Sequence, residues 1–515
     1  MARTSQSHPL QVNALTPSGG GRIGITFCPG KKQLNAATGD WDRDLQTDLE
    51  AIKAWGADLI INLIEDHEMA QLQVENTAAL LPPKIEYLRL PISDFSIPGE
   101  NWEISWDRLS LPVAERLRRG ASIVVHCKGG LGRAGLCAAR LLVELGCAPS
   151  DAIQRIRAER PGALETPEQE GYIKTIGESV RRARLVGCLL GGAVGDALGG
   201  AVEFQTHEAI ISRYGEPGIV DYVMAYGGTG KITDDTQMTL FTAEGLMLGR
   251  QNMNTFDRGA LIRTVALAYL RWGETQGQHN PLLKEPDRAA GRLIHQDDLH
   301  NRRAPGNTCL SALTAMKVLG QQADNNSKGC GGVMRVAPVG LFMDTVQPTL
   351  DLQGTFDLSC DLAGITHGHP SGRLPAGVLA VVVQLSTRGM GLRESLAQAM
   401  TVLVEKEHHE ETTTVLERAI ALSMQDVCPI DAIEMLGEGW IAEEALAIAV
   451  YCCLKAHTFE EAIVIAVNHG GDSDSTGAIA GNILGASQGF GVIPERWLES
   501  LELKQTIENS ALMLV

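Results

Sequence analysis

Short apolar runs alternate with amphipathic stretches over the first third of the chain. The run RIGITF at 22–27 reads as a strand, as do 57–63, 85–90 and 121–126. Between the first two, residues 42–55 place Leu45, Leu49 and Ile52 at helical spacing. Strands alternating with helices predict an α/β layered domain over residues 21–180. From residue 183 the strand signal fades. Ala/Leu-rich segments take over at 254–272, 308–319, 377–386, 393–406, 411–424 and 441–455. Their period predicts an all-α domain of about a dozen helices over 183–515, joined by glycine-rich turns. The join falls near Arg181, Arg182 and Arg184, at the end of a helical stretch and without a Pro/Ser linker. Residues 1–20 show neither pattern and are expected to form a disordered tail.

Composition changes this picture little. At 515 residues the chain exceeds one ordinary core, and 44% hydrophobic with 21% charged residues is a globular balance. A net charge of -18 argues against a nucleic-acid backbone as partner, so an anionic substrate needs local help from helix N-termini, Arg or metal ions. Eleven Cys without CxxC pairs suit reduced thiols, and no apolar run reaches the roughly 18 residues of a membrane span. A cytoplasmic protein without nucleic-acid or membrane partners is therefore expected.

The last strand of the first domain leads into HCKGGLGRAG at 126–135. Gly130, Gly132 and Gly135 fit a dinucleotide fingerprint. That reading leaves Cys127 and Arg133 without a purpose. In the competing one, the backbone N–H groups of Lys128, Gly129, Gly130 and Gly132 and the following helix N-terminus face one point and cradle a phosphate. Cys127 is then the nucleophile, and Arg133 grips two phosphate oxygens in its planar fork. The leaving oxygen needs a proton donor, and Asp94, in a proline-bounded loop after the third strand, is the candidate.

In the second domain the stretch HGGDSDSTG at 469–477 offers Asp472, Asp474 and the Ser475 hydroxyl in a glycine-framed turn. Far upstream, Thr233, Asp234 and Asp235 form a second acidic group. Such oxygens suit Mg²⁺ or Mn²⁺ rather than zinc, and two clusters brought together would hold two ions about 3.5–4 Å apart. Helix capping explains these residues in part. In 191–203 the glycines suit close helix packing, which does not explain Asp196 or Glu203. The loop 327–335 holds Ser327, Gly329, Cys330, Gly331 and Gly332, whose glycines let backbone approach a ligand. His367 and His369 lack the neighbours of a zinc site and suit hydrogen bonding or stacking on a ligand.

Through FCPGKK, LPISD, HCKGGLGRAG and RPGALETPEQEGYI, residues 22–175 resemble the cysteine-dependent dual-specificity phosphatases, the kinase-associated type most of all. That implies Cys127 as nucleophile, Arg133 as phosphate binder and Asp94 as general acid. Where that family carries Ser or Thr after the Arg, this chain has Ala134. The missing hydroxyl points to slow turnover or to a domain that only binds phosphate. Residues 183–515 resemble the ADP-ribosylglycohydrolases, through separate motifs in family order. The resemblance implies an all-α fold with a dinuclear Mg²⁺ or Mn²⁺ centre held by Thr233, Asp234, Asp235, Asp472, Asp474 and Ser475. It also implies Glu203 as an acidic group near the metals, Ser327 and 329–332 as substrate loop, and His367 as ligand contact. The expected substrate is an ADP-ribosylated protein, with the proton role open among Asp234, Asp235 and Glu203. Cys330 replaces the Asn of some relatives and is expected to tune which linkage is accepted. The whole chain thus reads as a bifunctional hydrolase whose phosphatase half acts on a phosphoprotein. The alternatives are a small-molecule ADP-ribose derivative as shared substrate, or binding without turnover.

Overall fold

The computed structural model describes residues 2–17, 20–36, 38–251, 253, 255–346 and 349–514. Two compact units are present, residues 1–180 with 389–391, and 181–388 with 392–515.

The strands of the first unit are β1 (Asn13–Leu15), β2 (Arg22–Phe27), β3 (Lys32–Gln33), β4 (Trp41–Asp42), β5 (Leu59–Asn62), β6 (Glu86–Arg89) and β7 (Ser122–Cys127). Five of them form a sheet in the order β1-β2-β7-β5-β6, while β3 and β4 pair separately. Within the sheet only β1 runs antiparallel, to β2. Strands β5 and β7, LIIN and SIVVHC, are buried at every position, because helices cover both faces of a parallel sheet. Register places Cys127 opposite Phe27, so the reactive loop leaves the C-terminal edge of a central strand. One expectation differs from the structure: Asn13–Leu15, inside the stretch read as a disordered tail, is strand β1. Its three residues are too short for a period to show.

The second unit is helical, with only isolated bridges and no strand among its described residues. Helix Leu374–Thr387, LPAGVLAVVVQLST, is buried on every side, as a helix apolar all round must be. The helices Ala442–Lys455 and Ser473–Gln488 pack against it. Helix Pro167–Gly199 runs on through residues 181–184, where a helical stretch is expected to end. No proline interrupts it after Pro167, and its later glycines pack instead of breaking it. A Cβ at Gly191, Gly195 or Gly199 would strike the backbone of Gly481, Gly477 or Ser473 on helix Ser473–Gln488. In return, a Cβ on Gly477 would lie 2.6 Å from the Gly195 carbonyl oxygen. The two helices therefore touch backbone to backbone along glycines spaced four apart. This contact brings Asp196 up to the N-terminus of the helix that carries Asp474.

Candidate active sites

In the first unit, the loop after β7 turns back so that the Gly130 N–H points at the Cys127 sulfur, 3.2 Å away. Gly130 does this at φ 71°, and a Cβ there would strike the backbone of Thr26 and Phe27. The loop carbonyls face away from that point: Arg160 takes Gly130 O at 3.0 Å and Gly129 O at 3.1 Å, and Lys31 takes Lys128 O at 3.4 Å. The N–H side is thus left to an anion. The Gly132 N–H, at the start of helix Gly132–Glu144, is held by Glu165 at 2.8 Å.

Arg133 is 1% exposed. Its Nη1 and Nη2 donate to the two Glu68 oxygens at 2.5 and 2.9 Å, and Nη1 also to Ile92 O at 2.9 Å. Burial pushes the Glu68 carboxyl up, but the bonds from Arg133 outweigh it and hold it below its ordinary value. Arg133 Nε is buried with no partner. Asp94 lies 2.9 Å from Nη2 with its side chain 43% exposed, so loop, Arg and acid are brought together. Glu68 was missed by sequence reasoning; its only local signal is a capping box with Glu65, which says nothing of Arg133. Gln169 was missed too: it is fully buried, accepts from Glu165 N, and donates to Ser96 O in the Asp94 loop at 3.2 Å. Ala134 is fully buried and supplies no hydroxyl.

In the second unit, carboxylate oxygens of Glu203, Asp472 and Asp474 lie within 4.8 Å of one another, all buried. Asp472 is the N-cap of helix Ser473–Gln488, with Asp474 in its first turn. Asp234 and Asp235 open helix Asp234–Gln251 and lie outside that tight trio, though near enough for the charge of Asp474 to act on them. Asp196 joins the two segments: it accepts from the N–H groups of Thr233 at 3.0 Å and Thr236 at 3.0 Å, and from the Thr236 hydroxyl. Asp196 therefore sets the Thr233–Asp235 turn, which answers why a packing helix carries it. The Asp235 N–H donates to Thr233 Oγ1 at 3.3 Å, and the Ser475 N–H to Asp474 at 2.9 Å.

Burial raises the whole group, and repulsion between carboxylates adds to it at every member but Asp472. Glu203 is pushed up to about 11, Asp196 to about 7, and Asp234, Asp235 and Asp474 well above their ordinary range. Glu203 Oε2 and Asp235 Oδ2 are buried without hydrogen-bond partners. Orphaned carboxylate oxygens in an all-oxygen cluster are what a hard divalent cation satisfies, so the residues fit Mg²⁺ or Mn²⁺. The glycine loop reaches the same place: Cys330 Sγ donates to Asp472 Oδ2 at 2.7 Å. Within the loop, the Gly329 N–H bonds Ser327 Oγ at 3.2 Å. A Cβ on Gly331 would lie 3.1 Å from the His367 ring and one on Gly332 would lie 2.7 Å from Gly372 O, so these glycines are required for close approach. His367 is buried beneath the loop, whereas His369 accepts from Ser371 N as a turn cap.

A buried polycarboxylate cluster at paired helix N-termini, under a glycine loop, is a donor set that suits a hard divalent cation. Residues 178–515 match the ADP-ribosylglycohydrolase family, and the chain belongs to it; that family is generally metal-dependent. Residues 39–147 match a phosphatase family described as DSP-PTPase phosphatase of polymorphic toxin systems. The chain is 28% identical to the ADP-ribosyl-[dinitrogen reductase] glycohydrolase of Rhodospirillum rubrum, over 62% of this chain and 91% of that one. It is 26% identical to the ADP-ribosylarginine hydrolase Tri1 of Serratia proteamaculans, over 65% and 79%. A kinase-associated phosphatase structure is 26% identical, covers 33% of this chain and 96% of its own, and has a TM-score of 0.30. The chain therefore joins a dual-specificity phosphatase-like domain to an ADP-ribosylglycohydrolase domain. No helix among the described residues is long and apolar enough to cross a membrane.

Proposed function

We propose that the second domain, residues 183–515, hydrolyses the bond between ADP-ribose and a protein side chain, and that the first, residues 21–180, is a cysteine phosphatase. The observation that carries the first claim is the trio Glu203, Asp472 and Asp474, with the orphaned buried oxygens of Glu203 and of the nearby Asp235. With Thr233, Asp234, Asp235 and Ser475 they would hold two Mg²⁺ or Mn²⁺ ions, which supply Lewis-acid charge at the ribose when bound. The glycine loop 329–332 receives the substrate backbone-first, and His367 lies under it. Water attacks the anomeric carbon, whose bond to the side chain breaks with the electron pair leaving on the side-chain atom. The field of the carboxylates favours the oxocarbenium character that develops. The water proton passes to a carboxylate among Asp234, Asp235 and Glu203, and a proton is returned from that carboxyl group to the departing side-chain atom. The names of the two relatives, one acting on dinitrogen reductase and one on ADP-ribosylarginine, support a modified protein as substrate.

In the first domain, Cys127 attacks phosphorus while the loop N–H groups and Arg133 take the equatorial oxygens. Arg133 offers Nε, which has no partner, and Nη2 as the gripping edge, because Glu68 occupies the opposite side. An arriving phosphate displaces Asp94 from Arg133, and Asp94 then protonates the leaving oxygen. Ala134 favours a second reading for this domain, phosphate recognition with slow release of the phosphoenzyme. The test is release of ADP-ribose from Arg- and Ser-modified proteins with Mg²⁺, with Mn²⁺ and with chelator. Metal-dependent release is expected, and its substrate identifies the linkage. No release with metal demonstrably bound would defeat the glycohydrolase reading.

A further inference from the structure

Arg335 is fully buried, yet no carboxylate pairs with it among the described residues. Its guanidinium lies 4.3 Å from the Tyr269 ring centroid, and Nη1 rests against Cys309 Sγ and Met238 Sδ. Nη2 donates to Leu362 O at 3.1 Å and to Thr366 Oγ1 at 2.7 Å. A guanidinium has no acceptor, so Thr366 Oγ1 accepts that bond and keeps its own proton to give. Two oxygen or nitrogen acceptors stand in reach: Ala363 O at 3.3 Å and His367 Nδ1 at 2.8 Å.

We infer that Arg335 and Thr366 are positioning residues that fix His367 as the tautomer protonated on Nε2, presenting that N–H beneath the glycine loop to an oxygen of the ADP-ribosyl group. This rests on the glycohydrolase reading for its ligand alone. Five observations support it. The shorter contact is the one to Nδ1. A cation behind Thr366 favours the imidazole lone pair, rather than an N–H, on its side, and it polarises the hydroxyl as a donor. Burial, and then the same guanidinium, push His367 down to about 3, so the ring is neutral and has one proton to place. The other edge of the ring meets the loop: a Cβ on Gly329 would lie 3.2 Å from Nε2, and one on Gly331 3.5 Å from it. Nε2 has no hydrogen-bond partner among the described residues, which leaves its proton for a ligand.

The test is NMR of the full chain carrying ¹⁵N-histidine at pH 7, since ¹⁵N shifts report which ring nitrogen bears the proton. An Nε2-protonated His367 whose resonance moves on adding ADP-ribose is expected. An Nδ1-protonated ring would overturn the inference without any variant. Thr366→Val is expected to lose the tautomer bias and weaken ADP-ribose binding about fivefold, the worth of roughly one hydrogen bond, with Thr366→Ser restoring both. A Thr366→Val protein that keeps both the tautomer and the affinity overturns the relay. ADP-ribose binding seen by calorimetry with the Nε2 signal unmoved overturns the ligand assignment. No binding at all removes the glycohydrolase reading and the ligand with it, while the spectrum still decides the tautomer.

Discussion

The two sites solve the problem of buried charge in opposite ways. Around Cys127, the charges cancel inside the protein: Arg133 is answered by Glu68 and Asp94, and the loop dipoles are anchored from behind by Arg160 and Lys31. Around Asp474, several carboxylates crowd together, and no cationic side chain is ion-paired with the trio among the described residues. In the first site Arg133 is already paired within the protein before any ligand is considered. The second gathers carboxyls whose ionised forms burial and repulsion disfavour, a cost that a bound divalent cation would offset. In the first, one loop carries both Cys127 and Arg133, and Glu68 and Asp94 reach it from earlier in the chain. The second required two helices in backbone contact to bring residues far apart in sequence to one point.

The largest expected effect separates the two sites outright. Asp474→Ala is expected to lower ADP-ribose release by about a thousandfold, the several kcal/mol that a divalent-ion centre supplies. Hydrolysis of p-nitrophenyl phosphate is expected to be unchanged. Equal loss of both activities would end the picture of two independent centres. Next comes the glycine seam. Gly195→Ala forces a Cβ onto the Gly477 backbone, which cannot step aside as a side chain can. A loss of about 3 kcal/mol in the second unit is expected, at the upper end of overpacking costs, read from urea unfolding. A loss below 1 kcal/mol would show that the helices can separate.

These cases also show what the sequence could reveal. Cys127, Arg133 and their glycines lie in one stretch of ten residues, and the strand before them reads as apolar from periodicity alone. The helix Asp42–Trp55 expectation comes close to the observed Leu45–Trp55, capped by Asp44 and ended by Gly56. What stayed hidden is pairing across distance. Nothing near Glu68 announces Arg133, sixty-five positions on. Asp196 stood out as unexplained, but its role as acceptor for the Thr233 turn needs the helix crossing to be known. The bond from Cys330 to Asp472, 142 positions on, is likewise invisible in the sequence. Residues whose partners are local were legible; residues that join segments were not.

The contrast in charge makes a third, smaller effect measurable. A cation that answers the carboxylates binds only the folded second unit, so Mg²⁺ or Mn²⁺ at a hundred times its Kd is expected to add about 2.7 kcal/mol there. The first unit is expected to gain nothing, because its buried charges are already paired. Urea midpoints with metal and with chelator check this. Equal stabilisation of both units would mean that the ions act on the surface at large.

One acid-labile feature is common to both units, although in the second the raised carboxyls, Asp196 and Glu203 among them, respond to acid in the opposite sense. His126 in β7 and His469 before the acidic turn are both buried, and burial first of all pushes each ring down from 6.5 to about 4. A lowered pKa means that the unfolded chain takes up a proton where the folded one does not. Each ring's contribution is therefore present above the unfolded value, near 6.5, and is lost as pH falls towards 4. Between pH 7 and pH 5 the loss is about 2 kcal/mol per histidine. His126→Gln is expected to remove that slope from the first unit and His469→Gln from the second, each leaving the other unit's acid response as it was. The His469 ring also bonds Thr476 Oγ1 at 2.9 Å, so its variant should lose stability at pH 7 as well, while the fall on acidification becomes shallower. A slope between pH 7 and pH 5 unchanged by His126→Gln would mean that the ring takes up its proton as readily in the folded state as in the unfolded one.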